Sequence, residues 1–153
     1  MRAGVRLGVD VGKARVGISR SDPHAVLATP VETVRRGAGD LERIVDLARD
    51  AEATEIVVGL PLSLSGGETG STQDARGFAL QLARGTQTPV RLVDERLSTV
   101  SAQRALHASG RNTKQSRPVI DQVAAVIILQ HALDFERSGG TPPGVVVDPD
   151  EGP

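Results

Sequence analysis

Residues 5–20, VRLGVDVGKARVGISR, hold the pattern from which the fold is read. Val5 to Asp10 is an apolar run with strand character, and Val16 to Arg20 is a second. The short Gly-containing link from Val11 to Arg15 between them has hairpin spacing. Val26 to Val34 predicts a third strand, and Pro30 places it at a sheet edge, because proline cannot donate to a ladder. Asp40 to Ala51 sets Leu41, Ile44, Val45 and Ala48 on one helical face, with Asp40 as the expected N-cap.

Glu55 to Leu60 (EIVVGL) is the continuous apolar run of a central parallel strand. A Ser/Gly-rich loop follows from Pro61 to Gly70. Ser71 to Arg84 reads as a helix with Ala75, Phe78 and Leu82 on one side. Pro89 to Asp94 is a further strand, Ser98 to Ala108 a further helix, and 111–117 (RNTKQSR) a polar basic loop. Pro118 to Arg137 is a long helix opening with proline in its first turn. The order β-β-β-α-β-α-β-α-α predicts an α/β fold. Its mixed five-stranded sheet joins a three-strand antiparallel meander to two parallel strands, flanked by helices. Residues 1–137 form the expected domain, and 138–153 a flexible acidic tail.

Composition narrows what this domain can do. The chain has 153 residues, two Phe, no Tyr, no Trp and no Cys. A core of Val, Leu, Ile and Ala suits a sheet buried on both faces. Recognition led by aromatic stacking lacks its platforms, and cysteine nucleophiles, disulfides and Cys-based zinc sites are excluded. His24, His107 and His131 show no metal-ligand spacing. No membrane-spanning run and no signal-peptide pattern occur, so a cytoplasmic location is expected. The net charge of −1 conceals a contrast: residues 1–137 carry 18 basic and 16 acidic residues, and the tail is acidic.

Three acids stand out by position. Asp10 closes the first strand, Glu95 directly follows a later parallel strand, and Asp121 lies near the start of the last helix. Ligands of open α/β sheets collect at the carboxyl ends of strands. Carboxylates gathered there suit Mg²⁺ or Mn²⁺, and two such ions can drive phosphodiester hydrolysis. Each acid also has an ordinary structural role open to it. Asp10 can cap its own turn, Glu95 can pair with Arg96, and Asp121 can favour a helix dipole. The glycines in Gly8-Val-Asp10-Val-Gly12-Lys13 allow close approach to the acid. They do not form a P-loop, whose GxxxxGK[ST] spacing is absent.

The segments DVGKARVGIS (10–19), VGLPLSLSG (58–66), DERLSTVSAQRAL (94–106) and IDQVAAVIILQ (120–130) together resemble the YqgF/RuvX family over residues 4–136. These are small bacterial proteins of RNase H-like fold, described as nucleases that mature the 5′ end of pre-16S rRNA and as Holliday-junction resolvases. The resemblance implies that Asp10, Glu95 and Asp121 are catalytic carboxylates holding Mg²⁺ or Mn²⁺, two ions in all. It implies that water attacks phosphorus to leave a 3′-hydroxyl and a 5′-phosphate. Lys13, Arg15 and Arg96 are then candidate phosphate contacts. The chain departs from the family pattern at Ala14, with the lysine displaced to Lys13, and in the loop Ser63-Leu64-Ser65-Gly66.

The expected partner is nucleic acid, pre-rRNA or branched DNA, met through its phosphate backbone by a monomer or homodimer. The first expectation is pre-16S rRNA 5′-end processing, the alternative is a Holliday-junction resolvase, and the further alternative a non-catalytic nucleic-acid-binding module. An actin-like or sugar-kinase-like ATPase shares the strand-DxG opening. It needs two such domains to enclose a nucleotide, and this length supplies one.

Overall fold

The computed structural model describes residues 1–97 and 117–150, with side chains in the second stretch from residue 122 onward. The expected helix at 98–108 and the basic loop up to residue 116 lie outside the described residues.

Strand β1 (Arg6–Val11) turns into β2 (Arg15–Ser21), which turns into β3 (Ala28–Arg35). All three pair antiparallel. Helix α1 (Asp40–Asp50) then crosses to β4 (Glu55–Leu60), and α2 (Gly70–Gly85) to β5 (Val90–Asp94). β1, β4 and β5 are parallel neighbours. A single 3-10 turn, Glu95–Leu97, follows β5, and helix α3 spans Arg117–Gly139. The sheet order is β3-β2-β1-β4-β5-β6.

The sixth strand is a finding that the sequence reading did not contain. β6 (Val145–Val146) comes from the tail and pairs antiparallel with β5. Val147 N donates to Val90 O, and Arg84 Nε donates to Pro149 O, extending the attachment. Three consecutive valines at 145–147 were the available signal. The surrounding Pro, Gly and Asp outweighed them.

Each face of the sheet has its own apolar layer. Leu7, Val9, Val16, Ile18, Ile56 and Val58 pack with Ile44 and Ala48 of α1 and with Phe78 and Leu82 of α2. Val57 and Val93 pack on the other face with Ala124, Ile128, Leu129 and Leu133 of α3. The alternation along each strand produces this division. In β1, Leu7 and Val9 face α1 and α2, which leaves Gly8 and Asp10 facing α3. Gly8 permits the closeness of α3: an added Cβ would collide with Ser19 Oγ and lie 2.8 Å from Leu129 Cβ. Ser19 Oγ donates to Ala125 O of α3 at 2.8 Å, tying helix to sheet.

Local signals mostly act as expected, with one correction. β3 is an edge strand, and its ladder with β2 skips a residue beside Pro30, between the pairs Ile18–Glu32 and Ser19–Pro30. α1 is not capped by Asp40. Gly39, at φ 87°, occupies the N-cap, and Asp40 accepts from Gly37 N and Leu41 N. A true capping box stands instead at α2, where Thr69 and Thr72 exchange bonds. Thr72 Oγ1 also donates to Pro61 O, which fixes both ends of the 61–70 loop. Among the described residues, no helix is long and apolar enough to cross a membrane.

Candidate active site

Parallel pairing places the carboxyl ends of β1, β4 and β5 at one edge of the sheet. Asp10 and Glu95 both stand there, and both are buried, at 2% and 3% exposure. Asp10 pairs with Gly17 of β2 and lies one step beyond the Val9–Val58 pair that aligns β1 with β4. Its α3-facing side is therefore flanked by Gly17 and Gly59, neither of which fills the space beside it. Glu95 uses that space. A Cβ on Gly59 would stand 3.1 Å from Glu95 Cγ, 3.3 Å from Glu95 Oε1 and 2.7 Å from Ile128 Cδ1. Gly59 lies within β4, and its role is to make room for the Glu95 side chain.

Asp121 lies in α3, four residues before Ala125 and seven before Ile128. Its neighbour Gln122 donates from Nε2 to Thr33 Oγ1 at 3.0 Å. Thr33 pairs with Gly17, the partner of Asp10. The Asp121 side chain lies outside the described residues.

Burying an ionised carboxylate costs several kcal/mol unless it is paired, hydrogen-bonded or bound to a metal. Two buried carboxylates offer hard oxygen donors, with no Cys in the chain and no His beside them in sequence. That donor set fits Mg²⁺ or Mn²⁺ and does not fit softer metals. Among the described residues, no three His, Cys, Asp or Glu side chains form a metal-holding group.

The basic residues divide into two groups. Lys13 is exposed at the tip of the β1–β2 hairpin. Arg15, half-buried, opens β2. Arg96 does not pair with Glu95. Its Nη2 lies 2.6 Å from Asp94 Oδ2, its Nε bonds both Asp94 oxygens, and its backbone N donates to Asp94 Oδ1. This fork holds the Asp94 carboxyl below its ordinary range. The remaining nitrogen, Nη1, donates to Leu64 O at 3.4 Å and lies beside Gly66, whose φ is +91°. Arg96 thereby joins the turn carrying Glu95 to the 61–70 loop.

Sequence reasoning missed Arg36. It donates to Gly12 O at 2.8 Å, pairs with Asp74 of α2, and stacks 5.0 Å from the Phe78 ring. It pins the hairpin that follows Asp10. No local pattern announces it, because its three partners are far apart in sequence.

The mixed sheet, with a meander on one side and α3 across the face, defines a fold of the RNase H-like class. Residues 4–135 match the model of the RuvX family, described as Holliday junction resolvase, and the chain belongs to that family. A protein of Clavibacter sepedonicus named "Putative pre-16S rRNA nuclease" is 63% identical, covering 98% of each chain. One of Leifsonia xyli subsp. xyli with the same name is 59% identical over the whole of both. Among solved structures, Thermus thermophilus RuvC in complex with a Holliday junction substrate superposes with a TM-score of 0.61. It is 15% identical and covers 92% of this chain and 99% of that one. At that identity the likeness shows the fold alone.

Proposed function

We propose that this chain is a metal-dependent nuclease that hydrolyses the phosphodiester backbone of precursor 16S rRNA at its 5′ end. The observation that carries the reading is the burial of Asp10 and Glu95 at one sheet edge, on one face, with Gly59 making room between them. The names of the full-length relatives support the rRNA substrate.

Asp10 and Glu95, with Asp121 as third donor, would hold Mg²⁺ or Mn²⁺, two ions in all. Such ions, when bound, neutralise the phosphate and polarise its oxygens for attack by water. The chain's own residues do the rest. Gly59 admits the Glu95 side chain beside Asp10, α3 closes the far side, and the Arg96 fork steadies the Glu95 turn. Lys13 and Arg15, at the hairpin beyond Asp10, offer charge to the phosphates flanking the scissile bond. Hydrolysis forms a bond from water oxygen to phosphorus and breaks the bond to O3′, which leaves as a hydroxyl. The product ends are a 3′-hydroxyl and a 5′-phosphate.

With one Phe near the hairpin and no Tyr or Trp in the chain, binding rests on phosphates rather than on stacked bases. Weak base preference and steep salt dependence follow. A precursor of the small ribosomal subunit places the work in the cytoplasm. The test is side-by-side cleavage, by purified protein with Mg²⁺ or Mn²⁺, of a pre-16S 5′ fragment and a four-way DNA junction. Preferential cutting of the RNA fragment supports the proposal. Preferential symmetric cutting of the junction replaces it with the resolvase reading. Cutting of neither sinks the nuclease reading.

A further inference from the structure

Two arginines stand directly opposite one another on neighbouring strands. Arg15, the first residue of β2, pairs with Arg35, the last of β3. Val16 and Val34 point into the core under α1 and α2, so by alternation Arg15 and Arg35 share the opposite side with Gly17 and Thr33. Gly17 is the cross-strand partner of Asp10. The arginine pair therefore lies one pleat repeat, about 7 Å, beyond the Asp10 row and on the same face.

Like charges directly opposite one another destabilise a sheet. The acids on the α1 and α2 side of the sheet are committed to other cations. Glu32 is taken by Arg43 at 2.6 Å, and Asp40 and Asp74 are taken by Arg36. Arg35 is exposed at the sheet edge, and among the described residues no carboxylate pairs with it. An exposed guanidinium on this face suits a phosphate of a strand that approaches Asp10.

We propose that Arg35 is a phosphate contact for the nucleic-acid strand, so that the strand enters across the β3 edge and runs along the Arg35–Arg15 pair toward Asp10. This rests on the nuclease reading and adds a binding residue and a direction of entry to it.

The experiment measures binding of a fluorescein-labelled RNA spanning the pre-16S 5′ junction by the full chain, across a salt series, together with KM and kcat. Three proteins are compared: wild type, Arg35→Gln and Arg35→Lys. Arg35 is exposed, and equal thermal unfolding of the three verifies their folding. Arg35→Gln is expected to bind roughly fivefold more weakly, and the slope of log K against log salt to shrink by about 0.7, one phosphate contact on a single strand. KM should rise with kcat within about twofold, as uniform binding is lost. Arg35→Lys should recover most of the salt slope. Wild-type binding that Arg35→Gln leaves unchanged in both affinity and slope overturns this assignment alone. Absence of nucleic-acid binding by the wild type overturns the nuclease reading along with it.

Discussion

Glu95 lies against the bare Cα of Gly59, so that a methyl group at residue 59 would approach its Cγ to 3.1 Å and its Oε1 to 3.3 Å. Gly59 lies in β4 and Glu95 directly follows β5, its parallel neighbour, and their closeness lets the carboxylate turn back over β4 toward Asp10. A strand glycine normally weakens a sheet. Here it leaves the volume into which an acidic side chain folds.

Gly59→Ala is therefore expected to damage activity more than stability. The added methyl also meets Ile128 Cδ1 at 2.7 Å, so either Glu95 or Ile128 must move. Overpacking of this kind costs about 1–3 kcal/mol. Displacing a reacting group by about 1 Å costs up to about a hundredfold in rate. Steady-state cleavage and thermal unfolding separate the two effects. Trimming the other neighbour, Ile128→Val, should recover part of the lost stability.

The Asp94–Arg96 fork predicts a loop defect. Asp94→Asn removes the charge that holds Arg96 in its double bond, and Arg96 also bonds Leu64 O. Hydrogen exchange at the amides of Gly66 and Gly67 is expected to quicken, and cleavage to fall by roughly tenfold through loss of orientation. Arg96→Lys should not substitute, because an ammonium cannot form the planar fork. Unchanged exchange in Asp94→Asn would show that the loop stands without the clamp.

At the opposite end of the strands a buried ionic cluster predicts acid sensitivity. Glu136 is tied to Arg2 at 2.8 Å and lies 3.6 Å from Arg6, while Glu55 bonds Arg2 and Arg91. The bonds from Arg2 draw the Glu136 carboxyl down from its usual 4.5 to about 2. A folded-state value below the unfolded one means that the stabilisation is complete above about pH 4.5. It drains away as pH falls toward 2. Its size is on the order of 1–3 kcal/mol, given that Arg2 is half exposed. Denaturant unfolding of wild type and Glu136→Gln across that pH range should converge at the acid end. Parallel curves would place the stabilisation elsewhere.

Much of the fold was legible because its strands are short β-branched runs whose ends are marked. Asp10 and Glu95 each terminate such a run, so position alone singled them out, and the structure brings them to one edge. What stayed hidden depends on register or on distant partners. The Arg15–Arg35 pairing follows from a ladder that skips a residue beside Pro30, which spacing cannot reveal. Arg96 adjoins Glu95 in sequence yet turns to Asp94, because the 3-10 turn points neighbouring side chains apart. The capping of α1 by Gly39 in place of Asp40 is a local choice decided by a positive φ. β6 forms because β5 offers an open edge, a fact of topology rather than of the tail's composition.

The central claim is that Asp10 and Glu95 anchor a metal-dependent hydrolytic site. The most direct measurement is cleavage of the pre-16S 5′ fragment by wild type and Asp10→Asn over a Mg²⁺ titration, with both proteins shown to be folded. Wild type is expected to cut only with the metal present, and Asp10→Asn to be slower by at least about a hundredfold at every Mg²⁺ concentration. Equal cleavage by Asp10→Asn, or wild-type cleavage undiminished in chelator, would contradict it.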